Sequence, residues 1–306
     1  MSTLILLNVG DVATLPVVSV VIVSFNVRAY LLDALASLYA ETTLPIEVIV
    51  VDNGSSDGSA EAVEGKFPQV TVVRQRENVG FGKANNSVLQ KSRGELVLLL
   101  NPDVVVDSGC VHTLADFLLA TPGAGAAGPR LRRPDGSLDL AARRGFPTPS
   151  AAFYRVVGLS RLFPKSPRFN RYNMGSFADG AVHEIDAGTA ACLMVRRTAI
   201  DQVGLFDPDY FMYGEDLDLC YRLKQKGWKI FYVPNAGALH VKGASSRQAT
   251  GPMVYEFHRA MWLFHRKHYA PRLPGPVNWV VWSGIWARWA LVRTRQRLSG
   301  DPKVSA

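Results

Sequence analysis

Apolar and polar positions alternate along this chain in long blocks. Val17 to Phe25 (V-V-S-V-V-I-V-S-F) is a continuous, largely β-branched run, the pattern of a strand buried on both faces. From Asn26 to Ala40 the apolar positions Leu31, Leu35 and Leu38 recur at helical spacing, and Ile46 to Val51 is a second buried strand ending in Asp52. The turn-rich loop D-N-G-S-S-D-G follows, then a helix from about Ser59 to Lys66 and a strand from Val70 to Arg74. Gly80 to Lys91 reads as a small-residue helix, Glu95 to Leu100 as a buried strand ending in Asn101-Pro102-Asp103, and Gly109 to Ala120 as a helix. A Gly/Ala/Pro stretch and a basic loop, Arg130 to Arg144, come next. Residues 148–180 mix Pro, Arg and aromatics without a clean period, as a lid-like insertion would. Ile185 to Arg196 reads as a strand broken at Gly188, and Trp228 to Val233 as another strand. His240 is expected in a loop, and Gly251 to His268 in a helix.

Strands that alternate with helices predict an α/β fold with a mostly parallel central sheet flanked by helices. Ligands of such sheets bind beyond the carboxyl ends of the strands, so Asp52 and Asp103 should line one crevice. With 306 residues, 48% of them hydrophobic, the chain can build one large core. The expected division is an N-terminal extension (1–16), an α/β catalytic unit (17–250) and a C-terminal helical extension (251–306). Cys110, Cys192 and Cys220 have no paired spacing and lie in apolar runs, which fits reduced core thiols and a cytoplasmic chain. The first 16 residues lack a basic region and carry Asp11 within their apolar run, unlike a signal peptide.

The densest chemistry lies between Phe206 and Cys220, F-D-P-D-Y-F-M-Y-G-E-D-L-D-L-C, with four aromatics and five carboxylates. After Gly214 the spacing of Leu217, Cys220 or Tyr221, and Leu223 is helical, so Glu215, Asp216 and Asp218 fall in a first turn. Unpaired N–H groups and partial positive charge favour ionised carboxylates there. Helix-start acids alone need signify no more. An exposed aromatic platform in front of them reads as a sugar site with a general base. Asp103 at a strand end suits a metal-diphosphate, or else a turn after Pro102; His240 suits a second ligand of an Mg²⁺- or Mn²⁺-like site, or a solvated loop. Asp52 can accept from a nucleotide base, or simply open its own Asx turn. Gly80-Phe81-Gly82 is not a dinucleotide fingerprint, because Asn85 replaces the third glycine, and no phosphate loop of the Walker type occurs. His258, His265 and His268 share a helix, where aromatic-basic packing explains them better than a metal cluster.

Several segments, in order, resemble a family 2 glycosyltransferase of the GT-A fold: V-S-V-V-I-V-S-F-N, V-I-V-V-D-N-G-S-S-D-G-S, E-N-V-G-F-G-K-A-N-N, L-L-L-N-P-D, D-A-G-T-A-A-C-L-M-V-R-R, the G-L-F-D-P-D-Y-F-M-Y-G-E-D-L-D-L-C run through Trp228, and H-V-K-G-A-S. They span roughly Val17 to Arg266 and are most similar to bacterial rhamnosyltransferase-like enzymes of cell-wall and surface-polysaccharide assembly. The resemblance implies an inverting transfer from a nucleotide-diphosphate sugar (dTDP- or UDP-linked) to a saccharide or lipid-linked acceptor. It implies a donor nucleotide held by Ser24, Asn26, Asp52, Asn78, Lys83 and Asn101, with Asp52 reading the pyrimidine. It further implies Asp216 as catalytic base beside Glu215, acceptor contacts at Gly188, Thr189 and Tyr213, and a divalent cation, Mg or Mn, on Asp103 with His240. The sequence departs from the family's DxD element at Asn101, which leaves fewer protein ligands. Two other classes fit the sequence less well: a catalytically idle GT-A-like binding module, which has no need of Asp103, Asp216 and His240 together, and a nucleotidyltransferase. The latter wants a basic triphosphate loop early in the chain, where only Asn26 and Arg28 stand after Phe25.

Charge adds one more element. From Phe257 onward there are nine Lys or Arg and one acid, so this tail carries the whole net charge of +8. A neutral body with a basic tail points to an anionic membrane surface as partner, not to nucleic acid. Trp279, Trp282, Trp286 and Trp289 fall within an arc of about 80° at helical pitch. The apolar run Val277 to Ala287 is shorter than the roughly 20 residues that span a bilayer, and Arg288, Arg293, Arg295 and Arg297 follow it. The expectation is a peripheral segment at the inner face of the cell membrane; the competing expectation is a Trp stripe packed on the catalytic domain.

Overall fold

A computed structural model of the chain describes residues 16–241 and 251–299. The expected N-terminal extension (1–16) therefore lies outside the described residues, Pro16 apart, as does Lys242 to Ser245 of the last family segment. The apolar runs become β1 (Val18–Ser24), β2 (Ile46–Asp52), β3 (Thr71–Arg74) and β4 (Leu96–Leu100), parallel and in the order β3-β2-β1-β4. Every residue of β1 and β4 is buried, which explains runs with no polar alternation. α1 (Arg28–Glu41), α2 (Ser59–Lys66) and α3 (Phe81–Leu89) make the crossovers. Beyond β4 come β5 (Val104–Val106), α4 (Cys110–Ala120) and β6 (Ala124–Arg132), then α5 (Pro149–Val156) and α6 (Leu159–Leu162). β7 (His183–Ile185), β8 (Cys192–Arg196), α7 (Arg197–Val203), α8 (Glu215–Gln225) and β9 (Lys229–His240) complete the unit. The sheet continues from β4 as β8-β6-β9-β5, with β7 also on β9.

In this second half direction changes. β8 is antiparallel to β4, pairing Leu96 with Arg196 and Leu100 with Cys192, so the start of β8 meets the end of β4. β5 is antiparallel to β9, pairing Val104 with His240. These two reversals decide which residues reach the crevice.

Three readings of the sequence need correction, and one stretch gains an assignment. The Gly/Ala/Pro stretch, left without an element in the sequence, is β6, buried in mid-sheet. Small side chains are required there, since a Cβ on Gly125 would lie 2.7 Å from the Trp228 side chain. The strand expected from Ile185 to Arg196 is two strands, β7 on β9 and β8 on β4, with Asp186 to Ala191 as the connection. His240 is not in a loop but ends β9, whose pairing with β6 skips between Val233 and Gly237 and so hides its length from a periodicity reading. The aromatic wall is mostly core: Phe206 and Tyr210 are 2% and 1% exposed, and only Phe211 and Tyr213 are half-buried. Residues 148–180, unassigned from sequence, contain α5 and α6. Cys110, Cys192 and Cys220 are buried and unpaired, as expected.

The C-terminal part is a helical hairpin, α9 (Gly251–His268) and α10 (Gly275–Ser299). His265 Nε2 meets Asn278 Oδ1 at 2.9 Å near the turn, and Tyr255 packs on Trp286 and Trp289 farther along. α9 sits on α8, with Phe264 and His268 against Tyr221.

The Phe211 backbone fixes the entry to α3. Its carbonyl accepts from Phe81 N at 2.9 Å, and a Cβ on Gly80, whose φ is +87°, would lie 2.4 Å from that oxygen. Gly80→Ala should therefore lower stability by about 2–4 kcal/mol, combining the cost of an extended backbone at positive φ (ψ 167°), a region open essentially to glycine, with the clash. Gly109 also has a positive φ, +71°, but a Cβ there meets no atom within 4 Å, so Gly109→Ala should cost about 1–2 kcal/mol. Urea unfolding midpoints of the two variants measure the difference, and equal losses would exclude the Phe211 contact as its source.

Candidate active site

At the carboxyl ends of the parallel strands, Ser24 and Asp52 stand side by side, paired in the ladder register. Both are buried, and Ser24 Oγ and Asp52 Oδ1 have no hydrogen-bond partner. Buried polar atoms are nearly always satisfied, so two adjacent orphans mark a place where a ligand's polar edge belongs. The loop around them is built by side chains. Asn26, at φ +53°, accepts on Oδ1 from Ser56 N at 2.8 Å, and Asn78 Oδ1 accepts from Gly80 N and from Asn53 Nδ2, both at 3.0 Å. Lys83 is exposed on α3 and lines a cavity of about 360 Å³ with Asp209, Phe211, Glu256 and Arg259.

The strand reversals assemble the other side. Asn101 N donates to Ala191 O at 2.8 Å, joining the end of β4 to the start of β8. Asp103 O accepts from Val241 N at 2.9 Å, and His240 Nε2 lies 3.5 Å from Asp103 Oδ1. On its far side, His240 Nδ1 meets Asp139 Oδ2 at 2.9 Å. Burial pulls the His240 pKa down, but hydrogen bonds and charge from Asp103 and Asp139 outweigh it and lift the pKa to about 9. A carboxylate behind one imidazole nitrogen is the arrangement that orients a metal ligand, and the other nitrogen faces the Asp103 carboxylate. One carboxylate and one imidazole suit a divalent ion that takes its remaining ligands from substrate phosphate and water. Among the described residues no cluster of three or more His, Cys, Asp or Glu could hold an ion alone.

The acids of α8 form the third part. Gly214, at φ +81°, caps this helix without a side chain and leaves its N-terminal dipole to Glu215, Asp216 and Asp218. Each acid has a different setting. Asp216 Oδ2 accepts from Arg144 Nη2 at 2.7 Å and from Ala190 N at 3.4 Å, and Oδ1 accepts from Leu217 N at 2.7 Å. Of roughly four lone-pair positions on a carboxylate, about one remains for a ligand hydroxyl. Asp218 is bound by Arg222 Nε and His268 Nε2, each at 2.7 Å; burial alone would raise its pKa, but these partners hold it below the usual value. Glu215 has no cation on it. Burial first, and the Asp216 charge second, push its pKa up to about 8, and its Oε2 has no partner.

Arg144 was not singled out in the sequence. Its backbone pairs with Ala187 in both directions at 2.9 Å, and its guanidinium reaches Gly188 O and Asp216, 72 residues away, at 2.7 Å. Arg144 Nη2 bridges Gly188 O and Asp216 Oδ2, and Ala190 N reaches the same carboxyl oxygen, so the loop of Gly188 and Thr189 borders Asp216. Tyr213 instead turns toward α9, edge-on to Phe257. Asp139 lies in a loop without periodicity and His268 reads from the sequence only as a packing residue, so neither was singled out for the site. His258, His265 and His268 bond separately to Val254 O, Asn278 and Asp218, as packing residues do.

The glycosyl transferase family 2 profile matches residues 19–204, and the glycosyl transferase family group 2 profile matches residues 170–299. The chain is 32% identical over 299 residues to the N-acetylglucosaminyl-diphospho-decaprenol L-rhamnosyltransferase of Mycobacterium tuberculosis, covering 92% of this chain and 96% of that one. It is 30% identical over 169 residues to rhamnosyltransferase WbbL of Escherichia coli, covering 53% of this chain and 60% of that one. Among solved structures, mannosyltransferase PcManGT from Pyrobaculum calidifontis in complex with GDP-Man and Mn²⁺ superposes with a TM-score of 0.55 at 19% identity, over 96% of this chain and 77% of that one. GalNAc-T7 with UDP, GalNAc and Mn²⁺ does so at 0.55 and 18%, over 74% and 43%. These likenesses show the GT-A fold.

The raised pKa of Glu215 has a measurable consequence. Its folded value, about 8, exceeds its ordinary 4.5, so its contribution to stability is full below about pH 4.5 and is lost as pH rises through about 8. Glu215→Gln should remove that loss: relative to the variant, the native protein's Tm should fall across this window. Parallel Tm profiles for the two proteins would show that Glu215 titrates normally.

Proposed function

The chain belongs to glycosyl transferase family 2 and is a glycosyltransferase, and from that membership we propose an inverting single displacement in which Asp216 is the base. The observation that carries the reading is the setting of Asp216. Arg144 and two backbone N–H groups donate to its carboxyl oxygens and leave one acceptor position open. A hydroxyl of the acceptor, bordered by Gly188 and Thr189, gives up its proton there as its oxygen attacks the sugar carbon. The nucleotide diphosphate leaves on the opposite side, and no enzyme nucleophile is required. Burial and the neighbouring Asp216 charge raise the Glu215 pKa, so Glu215 holds its proton beside the base.

Ser24 and Asp52 receive the donor's base edge, within the loop that Asn26 and Asn78 shape; Asn101 and Lys83 complete the donor side. Asp103 and His240 would hold a divalent cation, Mg²⁺ or Mn²⁺, which supplies charge neutralisation to the leaving diphosphate. The two rhamnosyltransferase relatives support rhamnose as the sugar, and the mycobacterial one supports an acceptor built on a lipid diphosphate, in cell-wall or surface-polysaccharide synthesis. An idle module would have no use for an orphaned, proton-holding Glu215 beside an oriented Asp216, and a nucleotidyltransferase is set aside by family membership.

Asp216→Asn should leave donor affinity nearly unchanged and lower kcat by about 10²–10⁴-fold. Near-normal turnover would remove Asp216 from the role of base. Asp139→Ala deletes no ligand but frees the His240 ring, so Mn²⁺ affinity, followed by calorimetry with donor nucleotide present, should fall about 10–100-fold. Asp103→Ala should abolish it. Undiminished affinity in both Asp139→Ala and His240→Ala would leave His240 outside the cation site.

A further inference from the structure

Two segments far apart in sequence share an unusual composition. Between Asp139 and Asp179 there is no acid and there are seven Lys or Arg; between Glu256 and Asp301 there is again no acid. The first segment contains α5 and α6, and the second contains α10. On both, large apolar side chains face outward. Val156 is 85% and Leu162 69% exposed, with Phe153, Val157 and Phe163 beside them, while on α10 Trp279 is 68% and Val280 63% exposed, with Trp282 next to them. Arg155, Arg161, Lys165 and Arg168 stand exposed among the first group, and Arg295 and Arg297 follow the second.

The Trp stripe itself is divided. Trp286 and Trp289 pack on Tyr255 of α9, as a helix docked on the protein requires. Trp279 and Trp282, nearer the start of α10, do not. Neither of the two arrangements expected from the sequence describes the whole stripe: one half anchors the helix and the other half is presented outward.

The two segments approach each other. Arg288, stacked over Phe257 of α9, feels the charge of Arg155 from α5; burial first and Arg155 second lower its hold on its proton. Among the described residues neither Arg155 nor Arg288 has a carboxylate ion-pair partner, and neither segment carries an acid of its own. An external anionic partner supplies what is missing, and the interleaving of Trp, Phe, Leu and Val with Arg and Lys is that of a surface seated at a headgroup boundary. No helix among the described residues is long and apolar enough to cross a membrane.

We propose that α5, α6 and the outward half of α10 form one docking face for an anionic lipid bilayer. The apolar side chains enter the interface, and the Arg and Lys side chains meet the lipid phosphates. The proposal rests on the reading of the acceptor as lipid-linked. The insertion between β6 and β7 thereby acquires a role, because the same segment that carries Arg144 to Asp216 also carries the docking side chains. α9 completes the link, since its inner side holds Asp218 through His268 and its outer side holds α10.

Flotation of the full chain with vesicles tests this. Equimolar phosphatidylglycerol and phosphatidylcholine vesicles should carry the protein at low salt, pure phosphatidylcholine vesicles much less, and high salt should release it. The double variants Val156→Ser/Leu162→Ser and Trp279→Ser/Trp282→Ser change only exposed side chains, and each should weaken binding by roughly tenfold. Arg155→Gln and Arg161→Gln should each weaken it about fivefold. Absence of flotation, equal binding to neutral vesicles, or a loss confined to the α10 pair would overturn the joint face. So would a wild-type dimer that the variants render monomeric without any vesicle binding, since a second copy would then be the occupant. Transfer to a short water-soluble acceptor, measured on the same proteins, keeps the two readings apart. Flotation without transfer defeats the glycosyl-transfer mechanism and leaves the face standing; transfer without flotation does the reverse.

Discussion

The backbone ladder between β4 and β8 is the constraint on which the site depends. Four parallel strands deliver Ser24, Asp52 and Asn101 to one edge of the sheet. A fifth strand in the same direction would carry its loop residues to the opposite edge. Because β8 runs against β4, its preceding residues, Gly188 to Ala191, arrive at the edge where β4 ends. Ala190 then reaches Asp216, and Arg144 is held by its pairing with Ala187. The reversal of β5 against β9 brings His240 to Asp103 in the same manner.

Upon this frame, charge is apportioned among the three acids at the start of α8. The helix dipole favours all of them, yet three carboxylates in one buried turn cannot all remain ionised without cations beside them. Arg144 serves Asp216, and Arg222 with His268 serves Asp218. At Glu215 burial and the Asp216 charge outweigh a backbone hydrogen bond and the more distant Arg144 charge, and its pKa is raised. Arg222 also donates to the carbonyls of Val203 and Leu205, so the same guanidinium that neutralises Asp218 closes the end of α7 and fixes the approach to α8. Electrostatics and chain direction are thus settled by shared side chains.

Much of the first half was legible in the sequence, because a strand buried on both faces announces itself as an unbroken apolar run; β1, β2 and β4 lie within a residue or two of where that pattern puts them. Asp52, Asp103 and Asp216 were legible as acids at the ends of such runs or at a helix start. What escaped was whatever depends on partners distant in the chain. Arg144 and Asp139 sit in a loop with no periodicity, and only the pairing of β6 and β9 and the bridge to Ala187 bring them to their carboxylate and imidazole. The aromatic wall misled because hydrophobicity cannot tell a platform from a core: Tyr210 and Phe206 are spent on packing. The helix α10 was placed correctly as a segment, but its four tryptophans divide by neighbour, which no angular projection of one helix reveals.

β6 carries a further implication. It is a mid-sheet strand whose buried residues are mostly alanine and glycine, with Ala124, Ala126 and Ala127 fully enclosed and Gly125 against Trp228. A leucine core position can drift in either direction, losing a methylene here and gaining one there. A strand already at the smallest side chains has no room to shrink, so nearly every substitution adds volume to a filled space. Such a strand behaves as a one-way gate to sequence drift, and the spacing between β8 and β9 is kept by the absence of side chains.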